Sequence, residues 1–345
     1  MKILVQTLAV CLIFFIAIPL GAVLAFGSLP DTQDEVGDIK SRDIAYLQNK
    51  IKLPKKIRVW KENEEKTVSV DFEEYVACVT ASEMPNTFES EALKAQSVAA
   101  RTFAVAKIEK YEQKKPASHP SAPICSSTHC QVYKTEKELK DCHPEGWASS
   151  EEGFKKIQAA CEATEGEILY YDGKPVMQPL FFSSSGGQTE NSEDVFVSAL
   201  PYLVSVSSPY ESEATHRNEE KSFTLEEFKS ALVKAYPAKN FGEVKQTNIK
   251  ILSRTAGGRV DKMQAGSAVL KGTEVRNALG LSSALFSIGF GKTKGGDTAI
   301  TFTSNGSGHG VGMSQNGAKN MALQGLGAEQ ILNFFYEGCE ICSGQ

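Results

Sequence analysis

The distribution of apolar and charged positions separates a membrane segment from the rest of the chain. Residues 3–30 carry no charged side chain, and the apolar centre Ile3–Phe26 exceeds the roughly 20 residues that a helix needs to cross a bilayer. This length predicts an uncleaved transmembrane signal-anchor over residues 1–27. A cleaved signal peptide, whose apolar region spans about 7–15 residues, is the alternative. Lys2 before the run and acidic residues after Asp31 favour a cytoplasmic N-terminus, a single pass through the cell membrane and an extracytoplasmic body.

The pattern after the anchor predicts a juxtamembrane stalk over residues 28–56 and a folded body over residues 57–345. Within the body, short runs with period-2 alternation, such as residues 57–60, alternate irregularly with longer helical patterns. Irregular mixing indicates an α+β fold rather than a regularly wound α/β sheet. The polar segment 207–222 is a candidate seam, so we expect a two-lobed body.

Composition and charge narrow the class of protein. With 41% hydrophobic and 23% charged residues, the chain of 345 residues has the make-up of a folded protein. Its 37 basic and 42 acidic residues give a net charge of −5, which argues against a nucleic-acid partner. Seven of the eight cysteines lie outside the membrane run, so they cannot all pair within one chain. Cys339 and Cys342 could form a disulfide, a redox pair or half of a metal site.

A carboxylate closes an apolar helical stripe. The stripe consists of Phe72, Val76, Val79 and Glu83, at helical spacing. Asp71 can cap the start of this helix, and Pro85 ends it because its ring disfavours helical geometry at the preceding residue. Burial and the negative end of the helix dipole would both raise the pKa of Glu83, as general-acid work requires. A Glu83 that points to solvent from a frayed last turn is the alternative.

A second helix is predicted from Ser90 to about Lys110. Lys94 and Arg101 are seven residues apart and share one face of it, whereas Gln96 lies on another. This cationic pair could hold substrate oxygens near Glu83, where it would lower the pKa of the carboxyl. A solvated helix face is the alternative.

Four zinc-type ligands occur within twelve positions of a loop rich in proline and serine. They are His119, Cys125, His129 and Cys130. The adjacent pair His129–Cys130 fits ordinary zinc spacing poorly, and Cys142–His143 is a competing source of ligands. A disulfide between Cys125 and Cys130, or a metal-free pair of thiols, are the alternatives.

Two glycine-rich segments read first as turns. Gly186 and Gly187 follow a run of serines and are typical of a tight turn with a polar rim. His309 stands in a second glycine-rich turn that leads into a predicted helix at Ser314–Gln315. A lone histidine in such a turn is more often a hydrogen-bonding partner of the backbone than a base.

Three separated strings resemble the stage II sporulation protein D family. The first runs over residues 74–85 and continues over 91–102, and the second is the serine-glycine loop 182–195. The third is the string 308–318. Because the three occur in the right order across about residues 60–340, a chance match is improbable.

The resemblance implies a membrane-anchored lytic transglycosylase that cleaves the bond between N-acetylmuramic acid and N-acetylglucosamine in peptidoglycan and leaves 1,6-anhydro ends. It implies strands without stem peptides as substrate, and a partner amidase/endopeptidase and a membrane protein of the engulfment machinery as partners in sporulation. The catalytic acid of the family falls on Glu83. The residues that fall on its active-site cleft are Lys94, Gln96, Arg101, Ser184, Ser185, Thr189, Asn191 and Ser192.

The resemblance also implies a bound metal ion and an alternative function. Some relatives carry zinc near the cleft at a segment similar to residues 126–133, so we expect a structural zinc ion on His119, Cys125, His129 and Cys130. Other relatives are non-catalytic wall-binding enhancers of an amidase, which is the alternative function. A zinc amidase is disfavoured because no His-Glu-x-x-His pattern is present.

Overall fold

The computed structural model describes residues 52–142, 147–148, 150–211 and 216–343. The predicted anchor and nearly all of the predicted stalk lie outside these described residues. None of the helices that the structure does describe has both the length and the apolarity needed to cross a bilayer.

The helices of the described residues are distributed over most of the body. They are α1 (Phe72–Glu83), α2 (Ser90–Gln113), α3 (Glu136–Cys142), α4 (Glu151–Glu162), α5 (Ser192–Val195), α6 (Leu225–Ala235), α7 (Gly272–Leu279), α8 (Gln315–Leu323) and α9 (Ala328–Phe335). Short 3-10 turns occur at Glu62–Glu64, Pro209–Glu211 and Gln246–Asn248.

The strands are short and belong to several small sheets. They are β1 (Lys56–Lys61), β2 (Lys66–Asp71), β3 (Ile124–Cys125), β4 (Glu167–Tyr171), β5 (Lys174–Pro175), β6 (Phe181–Phe182), β7 (Glu219–Thr224), β8 (Ile249–Arg254), β9 (Val260–Ala265), β10 (Ala268–Lys271), β11 (Phe286–Lys292), β12 (Thr298–Ser304), β13 (Met313–Ser314) and β14 (Cys339–Ser343). The sheet orders are β2-β1-β3, β14-β4-β5, β13-β6, β10-β9-β8 and β11-β12-β7. The pairs β1–β3 and β6–β13 are parallel, and the other pairs are antiparallel.

Helix α2 is the central element of what we call the helical region, residues 52–211 and 305–343. It contacts α1, α4, α8 and α9. Its buried side is rich in alanine, and such small side chains let several helices approach closely. The helix begins after Glu89, whose side chain makes no capping hydrogen bond.

A second hydrophobic core fills what we call the β-rich region, residues 219–304. Its sheets β11-β12-β7 and β10-β9-β8 enclose an aromatic cluster together with α6 and α7. The ring of Phe302 lies 5.5 Å from that of Phe286, 5.7 Å from that of Phe228 and 6.1 Å from that of Phe223. Period-2 alternation along β12 buries Ile300 and Phe302 on this face.

The predicted α+β class is confirmed, because small sheets and helices mix without a regular parallel winding. The strand predicted at residues 57–60 is confirmed as β1, with Ile57 and Val59 buried. The candidate seam at 207–222 precedes and enters β7, where the β-rich region begins, and the chain returns to the helical region after β12.

Candidate active site

Helix α1 places Glu83 at its last position. Asp71 caps the helix by accepting hydrogen bonds from the amides of Glu73 and Glu74 at 3.1 and 3.3 Å, as predicted. Met84 is extended (φ −130°, ψ 139°) because Pro85 follows it, and its amide still donates to the carbonyl of Thr80 at 2.9 Å. The buried Met84 side chain holds this end of the helix in the core.

The Glu83 carboxyl is half-buried and carries the predicted electrostatic bias. Burial raises the pKa of Glu83 above its usual range. Hydrogen bonds from the backbone amide of Val132 and the side chain of Gln315 favour the charged form and lower the pKa in part. Burial outweighs both, so the carboxyl holds a proton more readily than a solvated glutamate.

Glu83 lines a groove of about 820 Å³. The residues that line this groove are Glu83, Phe103, Ala106, Lys107, Lys110, Thr128, His129, Cys130, Gln131, Val132, Met177, Gln178, Pro179, Leu180, Phe181, Phe182, Ser183, Phe196, Arg276, Gly308 and His309. Glu83 is the only carboxylate among them, in the part of the chain that the structure describes. Aromatic rings, neutral polar groups and three cations make up much of the remaining lining.

A chain of amide side chains connects Glu83 to the interior. Gln315, the first residue of α8, donates from Nε2 to Oε1 of Gln96 at 3.4 Å. Gln96 is fully buried, and its own Nε2 has no hydrogen-bond partner among the described residues. Gln96 therefore reaches Glu83 through Gln315 and does not itself line the groove.

The two predicted cations of α2 lie elsewhere. Arg101 is fully buried, and its Nε and Nη2 donate to the carboxylate of Glu73 at 2.9 and 2.6 Å. Its Nη1 and Nη2 also donate to the carbonyls of Glu167 and Cys161 at 3.1 and 3.2 Å. Lys94 pairs with Glu91 at 2.6 Å. The structure thus differs from the expectation for both residues: α2 turns them away from the groove, and Arg101 ties α1 to α4 and β4.

The serine-glycine loop is held in shape by hydrogen bonds to Glu211 and to its own hydroxyl groups. Ser184 Oγ and the amide of Ser185 donate to Oε2 of the buried Glu211 at 2.9 and 2.6 Å. Gly186 has the left-handed φ of +75° that the predicted tight turn needs. The Ser185 hydroxyl accepts from the Gly187 amide at 3.0 Å.

Hydrogen bonds between side chains and backbone amides also hold the second half of that loop. The Thr189 hydroxyl accepts from the amide of Val206 at 2.8 Å, and the Ser192 hydroxyl from the amide of Leu200 at 2.7 Å. Asn191 Oδ1 accepts from the amide of Ser205 at 2.8 Å. None of the five predicted loop residues lines the groove, so the structure gives them a role in shaping the loop, while the neighbouring Ser183 faces the groove.

A buried ion pair anchors the loop to the β-rich region. Arg259, the residue immediately before β9, donates from Nη1 to Glu190 Oε1 at 3.2 Å and from Nη2 to the carbonyl of Ser185 at 3.0 Å. A Cβ atom at Gly310 would lie 2.4 Å from the guanidinium carbon, so only glycine lets the 308–312 turn approach Arg259 this closely.

His309 lies in the groove with both ring nitrogens engaged. Its Nδ1 accepts from the amide of Val311 at 3.1 Å, and its other nitrogen hydrogen-bonds the backbone of Phe181. Burial lowers the pKa of His309 to about 4, and the charges of Arg259 and Arg276 act in the same direction. A neutral, doubly engaged imidazole is a backbone partner, as predicted, and is poorly suited to be the base.

The four predicted metal ligands come together. Their ligand atoms all lie within 4.8 Å of one another. Cys125 Sγ and Cys130 Sγ each lie 3.5 Å from His129 Nδ1, and Cys130 Sγ lies 3.5 Å from His119 Nε2. A tetrahedral zinc ion with bonds of about 2.3 Å to sulfur and 2.0–2.1 Å to nitrogen separates these atoms by about 3.5 Å. The donor set and spacing therefore fit a tetrahedral ion.

The surroundings of the cluster support that fit. His119 Nδ1 lies 2.9 Å from the carbonyl of Ala122, which fixes its ring and leaves Nε2 toward the sulfurs. Cys125 and Cys130 are not joined by a disulfide. The competing Cys142 is exposed and accepts a hydrogen bond from Lys134 at 3.0 Å, and its neighbour His143 lies outside the described residues.

The cluster forms part of the groove wall. His129, Cys130 and Gln131 line the groove, and the amide that hydrogen-bonds Glu83 belongs to Val132, two residues after the ligand Cys130. The segment is tied to β1 by the amide of Ser126, which donates to the carbonyl of Trp60 at 2.9 Å. A metal ion at the cluster would thus fix the chain that orients the Glu83 carboxyl.

Sequence reasoning missed several groove residues. Lys107 and Lys110 lie one helical turn apart on α2, beyond the motif, and only their spacing signals a shared face. Arg276 comes from α7, and Phe196 follows the serine-glycine loop. Gln315 lies within the string 308–318, yet nothing in the sequence indicates that it reaches Glu83.

Comparison with known proteins identifies the family. The family model of the stage II sporulation protein matches residues 61–171, the stretch that carries Glu83 and the four cluster residues. Stage II sporulation protein D of Bacillus subtilis (strain 168) is 40% identical over 291 residues, which covers 84% of this chain and 79% of that protein. The protein of the same name from Bacillus amyloliquefaciens is 37% identical over 289 residues, with the same two coverages of 84% and 79%.

A more distant relative bears a different name. The amidase enhancer of Bacillus subtilis (strain 168) is 26% identical over 310 residues, which covers 77% of this chain and 40% of that protein. The strength and extent of the two sporulation matches decide the assignment: the chain belongs to the stage II sporulation protein D family. The resemblance carried by the three strings is confirmed, and the family is a sporulation family by its name.

Proposed function

We propose that the protein is a lytic transglycosylase that cleaves the β-1,4 bond from N-acetylmuramic acid to N-acetylglucosamine in peptidoglycan strands. One observation carries the proposal: a single carboxyl with a raised pKa lies in a groove that has no second carboxylate among its described lining residues. Hydrolysis with retention or inversion uses two carboxyl groups, one as acid and one as nucleophile or base. Intramolecular transglycosylation needs only one.

Glu83 would act first as an acid and then as a base, giving up one proton and accepting another. As an acid it protonates the glycosidic oxygen, the bond from that oxygen to C1 of the muramic sugar breaks, and N-acetylglucosamine leaves with a free 4-hydroxyl. The C6 hydroxyl of the muramic sugar then bonds to C1 and gives its proton to the Glu83 carboxylate. The product end is a 1,6-anhydro ring, no water is consumed, and the acid is restored.

The rest of the groove suits a glycan strand. Phe181 is half-buried, and Phe196 and Met177 remain 41% exposed, so these side chains offer apolar surface to sugar rings. Gln178 and Ser183 offer neutral hydrogen-bonding groups. Neutral dipoles near Glu83 can face the positive charge that develops at C1. The neutral state of His309 supports the same assignment, because it leaves Glu83 as the group able to move a proton.

We further propose that His119, Cys125, His129 and Cys130 hold a structural zinc ion. Four nitrogen and sulfur ligands complete a tetrahedral shell, whereas catalytic zinc keeps one position open for water. When bound, the ion supplies rigidity to the groove wall and no reacting group. This closed donor set argues against a zinc amidase at the same cluster.

The proposed setting follows the family. The protein would be a single-pass membrane protein with its body outside the cytoplasm, and would remodel septal wall during engulfment in sporulation. The proposed substrates are strands already freed of stem peptides. The proposed partners are an amidase/endopeptidase and a membrane protein of the engulfment machinery, and no nucleic acid.

Cleavage of purified glycan strands by the Glu83→Gln variant tests the activity. The native protein is expected to release anhydromuramoyl ends, detected by mass, and the variant to lose them by at least about 100-fold because general acid catalysis contributes at this scale. Glu112→Gln, on the exposed end of α2, is the matched control and should cleave normally. Equal rates in native protein and Glu83→Gln would exclude Glu83 as the acid.

A non-catalytic enhancer is the second candidate, favoured by the relative named amidase enhancer. In that case the native protein binds strands without releasing anhydro ends. Addition of purified native protein to a separately purified amidase would then raise the rate of the amidase, and Glu83→Gln would raise it equally.

A further inference from the structure

The groove contains three cations that form no ion pair with a carboxylate of the described residues. They are Lys107, Lys110 and Arg276. The buried cations Arg101 and Arg259, by contrast, are each paired with a carboxylate, Glu73 and Glu190 respectively. A chain with a net charge of −5 thus leaves unneutralised positive charge in the groove that faces the proposed substrate.

The three cations lie against different parts of the groove lining. Lys107 rests with Nζ 5.0 Å from the centre of the ring of Phe103, which also lines the groove. Arg276 donates from Nε to the carbonyl of Leu281 at 3.4 Å, which leaves its terminal amino groups for another acceptor. Its charge acts on His309. Positive charge is therefore spread along the groove.

We propose that Lys107, Lys110 and Arg276 bind the carboxylates of lactyl groups on the muramic acid residues of the strand and so distinguish free lactyl groups from substituted ones. The proposal rests on the proposed function, because it takes a peptidoglycan strand as the occupant of the groove. The lactyl group ends in a neutral amide where a stem peptide is attached, and in a carboxylate where the stem has been removed. A cationic groove binds the second form more tightly.

The same contact sets the register of the strand. Only every second sugar carries a lactyl group, so a carboxylate held by these cations fixes which sugar of each pair faces Glu83. A groove that binds only the hydroxyl groups of the sugars would accept the strand in both registers. The three cations are thus specificity residues, while Glu83 performs the chemistry.

Binding rather than turnover tests the proposal, so that it does not depend on cleavage. The Glu83→Gln protein keeps strands intact and serves as the background. Two strand preparations are compared, one with free lactyl carboxylates and one in which they are converted to methylamides, both stripped of phosphate-linked polymers. In this background we add Lys107→Gln, Lys110→Gln or Arg276→Gln, with Lys155→Gln, on the exposed side of α4, as the control.

We expect the background protein to bind free-acid strands about tenfold more tightly than methylamide strands, which corresponds to one lost charge-assisted contact. Each groove variant should weaken binding of free-acid strands by about three- to tenfold and leave methylamide binding unchanged. Lys155→Gln should change neither. Added salt should erode the preference of the background protein.

Results that contradict lactyl recognition differ from results that contradict the proposed reaction. Equal binding of both strand preparations, or equal losses on both in the groove variants, would overturn the proposal. Binding that appears only when phosphate-linked polymers are left on the strand would assign the cations to phosphate instead of the lactyl group, and would also overturn it. The Glu83→Gln protein could prefer free-acid strands while the native protein makes no anhydro ends. That pair of results would support lactyl recognition by the three cations and reject the proposed reaction.

Discussion

The β-rich region and the groove of the helical region are built by different interactions. In the β-rich region, fully buried rings such as Phe228 and Phe302 pack together, and stability comes from apolar burial. Around the groove, polar contacts hold the chain in place. Glu211 accepts hydrogen bonds from amides of the serine-glycine loop, and the thiol and imidazole groups of the cluster bring residues 119–130 together. The comparison shows that chemistry is concentrated where burial is incomplete and loop shape depends on a few specific contacts.

Two charged groups on neighbouring helices show the same difference between a structural and a chemical role. Arg101 is fully buried but neutralised by Glu73 at 2.6 Å, so it serves the fold. Glu83 is half-buried and receives only neutral hydrogen bonds, so burial raises its pKa. The proximity of charge partners, rather than burial itself, separates the structural ion from the reactive acid.

Among the changes that test this comparison, breaking the cluster has the largest expected effect. Cys125→Ser removes one of four ligands and should abolish stoichiometric zinc, because the remaining three leave the shell open. Strand cleavage should fall by at least about 10- to 100-fold, since the wall that carries Val132 loses its support. Metal content by mass spectrometry and the release of anhydro ends measure the two effects.

The control for that change is Cys142→Ser. Cys142 is exposed and lies outside the cluster, so this variant should retain both metal and activity. Loss of zinc in Cys142→Ser with retention in Cys125→Ser would show that the ligand set is wrong. Full activity of Cys125→Ser without zinc would separate the groove from the cluster.

The next effect tests the apolar side of the comparison. Phe302→Ala empties a site surrounded by three other rings and should lower the free energy of unfolding by about 3–5 kcal/mol. Zinc content before unfolding should stay unchanged, because the cluster lies in the other region. Denaturant unfolding measures the loss, and Phe290→Ala on the exposed part of β11 should cost much less. A similar cost at both positions would contradict the packing described here.

Local sequence signals predicted much of the α1–α2 segment and the cluster. The cap at Asp71, the helix end before Pro85 and the four clustered ligands follow from residue type and spacing, which act over short range. The roles of Arg101 and the serine loop differ from the prediction because their partners, Glu73 and Glu211, could not be recognised from spacing. Distant contributions such as Arg276 depend on how the two regions pack, which no local pattern encodes.

A smaller effect concerns the tuning of the acid. Gln315→Met removes the side-chain hydrogen bond that favours the charged form of Glu83, so the pKa of the carboxyl should rise further. Because the reaction begins with protonated Glu83, the falling limb of the pH profile of kcat/KM should move to higher pH. A profile that moves to lower pH, or a lost rate without any shift, would mean that Gln315 acts on something other than the proton of Glu83.

The smallest effect is on stability. The folded-state pKa of Glu83 is raised, so this carboxyl favours the folded state below its unfolded pKa, and that contribution is lost as pH rises through its folded pKa. Above its folded-state pKa an ionised Glu83 therefore costs free energy, so Glu83→Gln should raise the free energy of unfolding there by up to about 1 kcal/mol. The gain at neutral pH should exceed the gain in mildly acidic solution, because a larger share of native Glu83 holds its proton as the pH falls. Urea unfolding of both proteins at the two pH values measures it, and a variant less stable than the native protein at neutral pH would indicate that the charged carboxylate is needed to hold the groove wall.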